Sequence, residues 1–130
     1  PVFYQKNVKL TINIEEKTLS IDKNLIFQSI VNILDNYYKY SNVNSEVVID
    51  GYINESDYMI IISDNSNGVA AENIAKIFDR FYREQKSRTN SGNGLGLSLV
   101  KKIIQLHGGN IIAKNNDPKG LITIISLPLH

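Results

Sequence analysis

Residues 92–109 read GNGLGLSLVKKIIQLHGG, and the fold is read outward from this stretch. Gly92, Gly94 and Gly96 alternate. Leu95, Leu99, Ile103 and Leu106 recur at helical spacing and predict one apolar stripe on a helix over 94–107. Gly108-Gly109 ends that helix, because glycine takes a left-handed cap without a Cβ penalty. Residues 110–114 and 121–127 follow as β-rich runs, joined by a turn around Asn116-Asp117-Pro118-Lys119-Gly120.

On the N-terminal side, Val8, Leu10, Ile12 and Ile14 alternate, which predicts a half-buried strand over 8–14. Glu15-Glu16-Lys17 makes a turn, and 18–21 a short second strand. Asp22 then caps a helix that runs to about residue 40, with Ile26, Ile30, Ile33 and Tyr37 as its core stripe. Residues 47–53 and 58–63 form a hairpin around Asn54-Glu55-Ser56-Asp57. Residues 70–78 predict a short helix, and 79–92 a long mobile loop with few large apolar residues after Tyr82. No repeat or linker interrupts the chain. The expected architecture is a single α/β domain over 1–130: a two-layer sandwich with a mixed, mostly antiparallel sheet and helices packed on one face.

Composition narrows the function classes. The chain has 130 residues, enough for one domain with a real core. Its net charge of +1 gives no bulk field for nucleic acid or a membrane surface. With no cysteine and only His107 and His130, disulfides, thiolate sites and histidine-rich metal sites are excluded. No apolar run approaches the roughly 18 residues of a membrane span. Asparagine occupies 16 positions, so a motif resting on asparagine alone is weak.

Three segments share the theme of phosphate and metal contact. On the first helix, Asn32, Asn36 and Lys39 fall within an arc of roughly 60°, off the apolar stripe. A carboxamide oxygen is a hard ligand of the kind Mg²⁺ accepts, and Lys is a point charge for phosphate. The same residues also fit an ordinary polar helix face. Asp64 ends an apolar strand at the Asn65-Ser66-Asn67-Gly68 turn, well placed to accept from a buried amino group; it equally fits a solvated strand end. The alternating glycines let backbone amides approach an anion before a helix N-terminus, or serve the turn alone. Their spacing fits neither the P-loop nor the Rossmann fingerprint. Between the second and third segments, Arg80, Arg83, Lys86 and Arg88 make a basic run, suited to closing over a polyphosphate or to facing solvent.

Together these segments resemble the catalytic domain of sensor histidine kinases, in the wider superfamily with gyrase, mismatch-repair ATPases and Hsp-type chaperones. The resemblance covers nearly the whole chain from Asp22 onward, in the family's order. Asn32-Ile33-Leu34-Asp35-Asn36-Tyr37-Tyr38-Lys39-Tyr40-Ser41 looks like the N box, and Asp64 through Val69 like the G1 box. Ile77 through Arg83 looks like the F box, and Gly92 through Leu97 like the G2 box.

The resemblance implies a Bergerat-type ATP-binding fold and a set of roles. Asn36 would coordinate Mg²⁺ with Asn32 assisting, Lys39 would contact phosphate, and Tyr40 would pack near the adenine. Asp64 would accept from the adenine amino group. Arg83 would reach the γ-phosphate. Gly92, Gly94 and Gly96 would wrap the phosphates, with Leu95 and Leu97 in the same box; Gly68 and Phe81 complete the implied nucleotide site. Two positions depart from the pattern. Ser66 stands where the first glycine of D-x-G-x-G is usual; if positive φ is required there, serine costs on the order of 1 kcal/mol and lowers nucleotide affinity. Tyr37 stands where alanine is usual and, lying on the core stripe, implies altered packing and unaltered chemistry.

Hydrolysing members of the superfamily carry a glutamate base four residues before the metal asparagine. That position is Asn32 here, which favours phosphoryl transfer to a protein group over hydrolysis. The implied reaction takes ATP and Mg²⁺ and phosphorylates a histidine on a separate dimerisation domain of a homodimeric parent, for relay to a response regulator. The fragment would be a cytoplasmic part of a membrane-anchored bacterial sensor, itself without membrane or nucleic-acid contact. Two other classes stay open: an anti-sigma-type serine kinase of the same fold, and a docking module that has lost nucleotide binding. Neither His107, at a helix end, nor the terminal His130 is expected to carry phosphate.

Overall fold

The computed structural model describes residues 7–67, 77–78 and 96–129, without the side chain of residue 40. The elements run β1 (Lys9–Ile14), α1 (Lys23–Tyr40), β2 (Glu46–Asn54), β3 (Asp57–Asp64), α2 (Gly96–Leu106), β4 (Asn110–Asn115) and β5 (Leu121–Pro128). Among the described residues, five strands form one sheet in the order β1-β2-β3-β5-β4. β1 pairs parallel with β2, and the other three pairings are antiparallel. The sheet is therefore mixed and mostly antiparallel, as the sequence predicts. Of the short helix predicted at 70–78, residues 70–76 lie outside the described residues and 77–78 form a turn; the loop at 79–92 and residues 94–95 at the start of the second helix also lie outside them.

Alternation decides which face of each strand is buried. Val47 and Ile49 of β2, Ile62 of β3, Ile125 and Leu127 of β5 and Ile111 of β4 all enter one core cluster. Ile26, Ile33 and Tyr37 of α1 and Val100, Ile103 and Ile104 of α2 close it from the helix side, so both helices lie on the same face of the sheet. Each aliphatic side chain buried this way contributes about 1.5–3 kcal/mol.

Asp22 caps α1 as expected, its Oδ1 accepting from the Leu25 amide at 3.0 Å. The end of α2 is set by Gly108, at φ +78, with the Gly109 amide donating to the Ile104 carbonyl (3.0 Å) and the Gly108 amide to that of Gln105 (2.9 Å). These two bonds make a Schellman cap. His107 joins the two helices. Its Nε2 accepts from the Asp22 amide at 3.0 Å, and its Nδ1 lies 2.8 Å from the Ile103 carbonyl. That pair of contacts requires the neutral ring with its proton on Nδ1.

Three sequence expectations are corrected. Residues 18–21 form no strand; Leu19 and Ile21 pack against the core without joining a ladder. The stripe of α2 is Val100, Ile103 and Ile104 with Leu97 alongside, whereas Leu99 is 37% and Leu106 76% exposed. That helix carries apolar residues around most of its circumference, so spacing alone admits two stripes and packing against the sheet selects one. β1 is more exposed than its alternation suggests: Leu10, Ile12 and Ile14 share the core-facing register of Val47 and Ile49, yet Ile12 and Ile14 are more than half exposed. As an edge strand, β1 contributes no residue to the core cluster.

Candidate nucleotide site

Asp64 is the last residue of β3 and is buried. The register of β3 with β2 and β5 sets its side chain on the helix side, because it alternates with Ile62. Its carboxylate gathers donors from two parts of the chain. The Leu121 amide, at the start of β5, donates to Oδ1 at 2.8 Å. The amide and hydroxyl of Ser66 also bond to it, and the Ser41 hydroxyl lies beside it. Burial pushes the Asp64 carboxyl above the ordinary aspartate range, and these donors oppose the rise. A buried carboxylate held in this way accepts strongly from an amino group brought to it.

The turn between β4 and β5 wraps the same residue. Asn116 Nδ2 donates to the Asp64 carbonyl at 3.0 Å. Gly120, at φ +112, leaves no room for a side chain: a Cβ there would stand 2.0 Å from the Asp64 carbonyl oxygen. Only glycine combines that backbone with that approach.

α1 supplies the second wall. Asn32 is buried and Asn36 half-buried on its polar side. Asn36 Nδ2 donates to the Asn32 carbonyl at 2.9 Å, which leaves Oδ1 as the acceptor. This is the hard oxygen that a Mg²⁺ ion accepts. Among the described residues no group of three or more His, Cys, Asp or Glu can hold a metal. The donor set therefore fits an ion held by Asn36 together with the phosphates of a bound nucleotide. Lys39 Nζ lies 3.3 Å from Asp35 Oδ2, a half-exposed i,i+4 pair weak enough for a phosphate to displace.

The helix and the strand end are tied together. Ser41, the C-cap of α1, bonds back to the Tyr37 carbonyl and also reaches Asp64. Ser66 Oγ accepts from the Asn42 amide at 2.8 Å. Ser66 thus links the loop after α1 to the turn that follows Asp64. Beneath them, the Tyr37 hydroxyl donates to the Ile62 carbonyl (2.8 Å) and meets Thr123 Oγ1 (2.8 Å). Burial pushes this phenol far above its ordinary range, and the Asp64 charge adds to the rise. Tyr37 is buried in the core cluster and latches α1 to β3 and β5.

Ser66 carries no backbone strain. Among the described residues other than glycine, positive φ occurs at Asn7, Asn44 and Glu55 and not at Ser66. Gly96 opens α2 at φ +39, and Leu97 packs on the core. Gly68, Phe81, Arg83, Gly92, Gly94 and Leu95 lie outside the described residues, as does the Tyr40 side chain. In the F box, Ile77 is buried and the Phe78 ring sits 6.0 Å from Lys101 Nζ.

Sequence reasoning missed Ser41, Asn116, Gly120 and the Leu121 amide as partners of Asp64. The Asn116–Gly120 turn reads as a plain connection, and only β3–β5 pairing brings it to Asp64. Gly120 at the end of that turn was the one local signal.

The chain is 37% identical over 124 residues to the sensor protein SrrB of Staphylococcus aureus, covering 93% of this chain and 21% of that protein. It is 35% identical over 130 residues to the sensor histidine kinase WalK of Bacillus subtilis, covering 95% and 21%. The chain thus spans about a fifth of the length of these relatives. Among solved structures, the mycobacterial sensor histidine kinase MprB superposes with a TM-score of 0.84 at 26% identity, covering 98% of this chain and 88% of that one. No helix among the described residues is long and apolar enough to cross a membrane. Residues 21–130 match the family described as histidine kinase-, DNA gyrase B-, and HSP90-like ATPase, and the chain belongs to that family of ATP-binding catalytic domains.

Proposed function

We propose that this chain is the ATP-binding catalytic domain of a two-component sensor histidine kinase, folded as one domain over residues 1–130. It would transfer the γ-phosphate of ATP to a histidine on a separate dimerisation domain. The observation that carries the reading is the buried Asp64 carboxylate, tied through Ser66 to the loop after the helix that bears Asn32, Asn36 and Lys39. Asp64 accepts from the adenine amino group. Asn36 offers its amide oxygen to Mg²⁺ with Asn32 beside it, and Lys39 exchanges Asp35 for phosphate. The ion supplies charge neutralisation on the phosphates. The resemblance assigns Tyr40, Gly68 and Phe81 to the nucleotide, Arg83 to the γ-phosphate, and Gly92, Gly94, Leu95, Gly96 and Leu97 to the phosphate-wrapping box.

In phosphoryl transfer a protein mainly positions the reactants and neutralises charge, so this domain needs no general base. Asn32 cannot accept a proton, which disfavours hydrolysis. His107 donates and accepts within the fold, and neither it nor His130 serves as the phosphoacceptor. The parent would be a homodimeric, membrane-anchored sensor that hands phosphate to a response regulator, with this part in the cytoplasm and free of membrane and nucleic acid. The names of SrrB, a sensor protein, and WalK, a sensor histidine kinase, support the sensor-kinase part of that reading.

The test is incubation with γ-labelled Mg-ATP and a histidine-bearing dimerisation domain supplied in trans. Label should appear as acid-labile, base-stable phosphohistidine on the added domain, and be absent with Asn36→Ala. Label on His107 or His130, or steady phosphate release without labelled protein, would refute the proposal.

A further inference from the structure

We propose that Ser66 is a positioning residue that aims the Asp64 carboxylate at the exocyclic amino group of the base, so that this chain's selectivity for adenine depends on the serine hydroxyl. The inference rests on the reading of the site as an ATP site and goes beyond it, because the resemblance expects glycine at this position.

Ser66 is 1% exposed and its backbone is unstrained. Its hydroxyl is therefore placed by bonding and not squeezed in by the turn. The Asn42 amide donates to Oγ at 2.8 Å, which occupies a lone pair and fixes the orientation of the group. The hydroxyl proton is then available to Asp64, which receives both the hydroxyl and the amide of Ser66. One residue thus holds the loop after α1 with one atom and the carboxylate with two. The Leu121 amide holds the opposite side of the carboxylate at 2.8 Å, and Gly120 stands against the Asp64 backbone. Between these supports the carboxylate has a set direction. A glycine at 66 supplies only the amide, leaving the Asn42 amide without its acceptor and the carboxylate with one donor fewer.

This role predicts a loss confined to one contact. Phosphate, ribose and ring-face contacts are the same for ATP and for purine riboside triphosphate, which lacks the exocyclic amine. Only ATP uses the aimed carboxylate. A merely structural serine would weaken both nucleotides together.

The experiment is calorimetric titration of the chain with each nucleotide in excess Mg²⁺, for the unsubstituted protein, Ser66→Ala and Ser66→Gly. The unsubstituted protein should bind ATP about tenfold more tightly than purine riboside triphosphate, and Ser66→Ala should lower ATP affinity about fivefold while leaving the analogue within about twofold. Ser66→Gly, the residue usual in related proteins, should behave alike and guards against misfolding of the alanine variant. Equal losses for both nucleotides, or unchanged ATP affinity in both variants, overturn the proposal. If the unsubstituted protein binds neither nucleotide, the ATP reading itself fails and this inference falls with it; that outcome is visible before any variant is made.

Discussion

Tyr37→Phe removes one oxygen from the centre of the fold and leaves the ring in place. That oxygen donates to the Ile62 carbonyl at 2.8 Å and meets Thr123 Oγ1 at 2.8 Å. All three residues are buried, so water cannot replace the lost partner. Leaving a buried polar group unpaired costs about 1–3 kcal/mol. Thr123 can turn its hydroxyl toward another acceptor, which places the expected cost in the lower half, at about 1–2 kcal/mol. For a chain of this size that lowers Tm by roughly 3–8 °C. Urea unfolding with an unchanged slope is the direct assay, since a changed slope would mean a changed unfolded state. Thr123→Val removes the other half of the pair. The double variant should lose less than the sum of the two single losses, by at least about 0.5 kcal/mol, because the hydroxyl that each single variant strands is then removed as well. A Tyr37→Phe cost below about 0.3 kcal/mol, or strict additivity in the double variant, would refute the latch.

Further predictions concern the surroundings of that latch. Because burial raises the Asp64 pKa, nucleotide affinity should fall on acidification through a window above the ordinary aspartate range, as the acceptor becomes protonated. Stability of the free chain should move the opposite way. In the window between the unfolded and folded values the native state binds more protons, so Asp64 makes stability fall as pH rises; comparing the chain with Asp64→Asn in urea across pH isolates that slope. Gly120→Ala should cost on the order of 1–3 kcal/mol and weaken ATP binding, since φ +112 and a contact of 2.0 Å with the Asp64 carbonyl cannot both be kept; normal stability and binding in that variant would contradict the packing. His107→Ala breaks the bridge to the Asp22 amide and should cost about 0.5–1.5 kcal/mol in urea unfolding while sparing ATP affinity.

The first helix was legible in full because its signals agree. Asp22 caps it, and Ile26, Ile33 and Tyr37 keep one period. The second helix was legible in extent and not in orientation, since Leu97, Leu99, Val100, Ile103, Ile104 and Leu106 offer more than one apolar stripe and only the sheet chooses. β1 was read as half-buried because alternation reports a period and says nothing of whether a strand lies at the edge. In the site, Asp64 and Asn36 were visible as residue types at telling places. Their supports were not, because the Leu121 amide, the Asn116 carboxamide and Gly120 reach Asp64 only across strand pairing, some 50 residues along the chain. Ser66 was noticed as a departure whose cost depended on a positive φ; the backbone there is ordinary and the side chain has partners.

Calorimetric titration with Mg-ATP, Mg-ADP and Mg-GTP, on the chain and on Asp64→Asn and Asn36→Ala, tests the central claim most directly. The account predicts saturable binding of the adenine nucleotides over Mg-GTP. Asp64→Asn should abolish the preference for adenine, and Asn36→Ala should weaken binding in Mg²⁺ far more than without it. No binding at millimolar Mg-ATP, or binding indifferent to both substitutions, would contradict it.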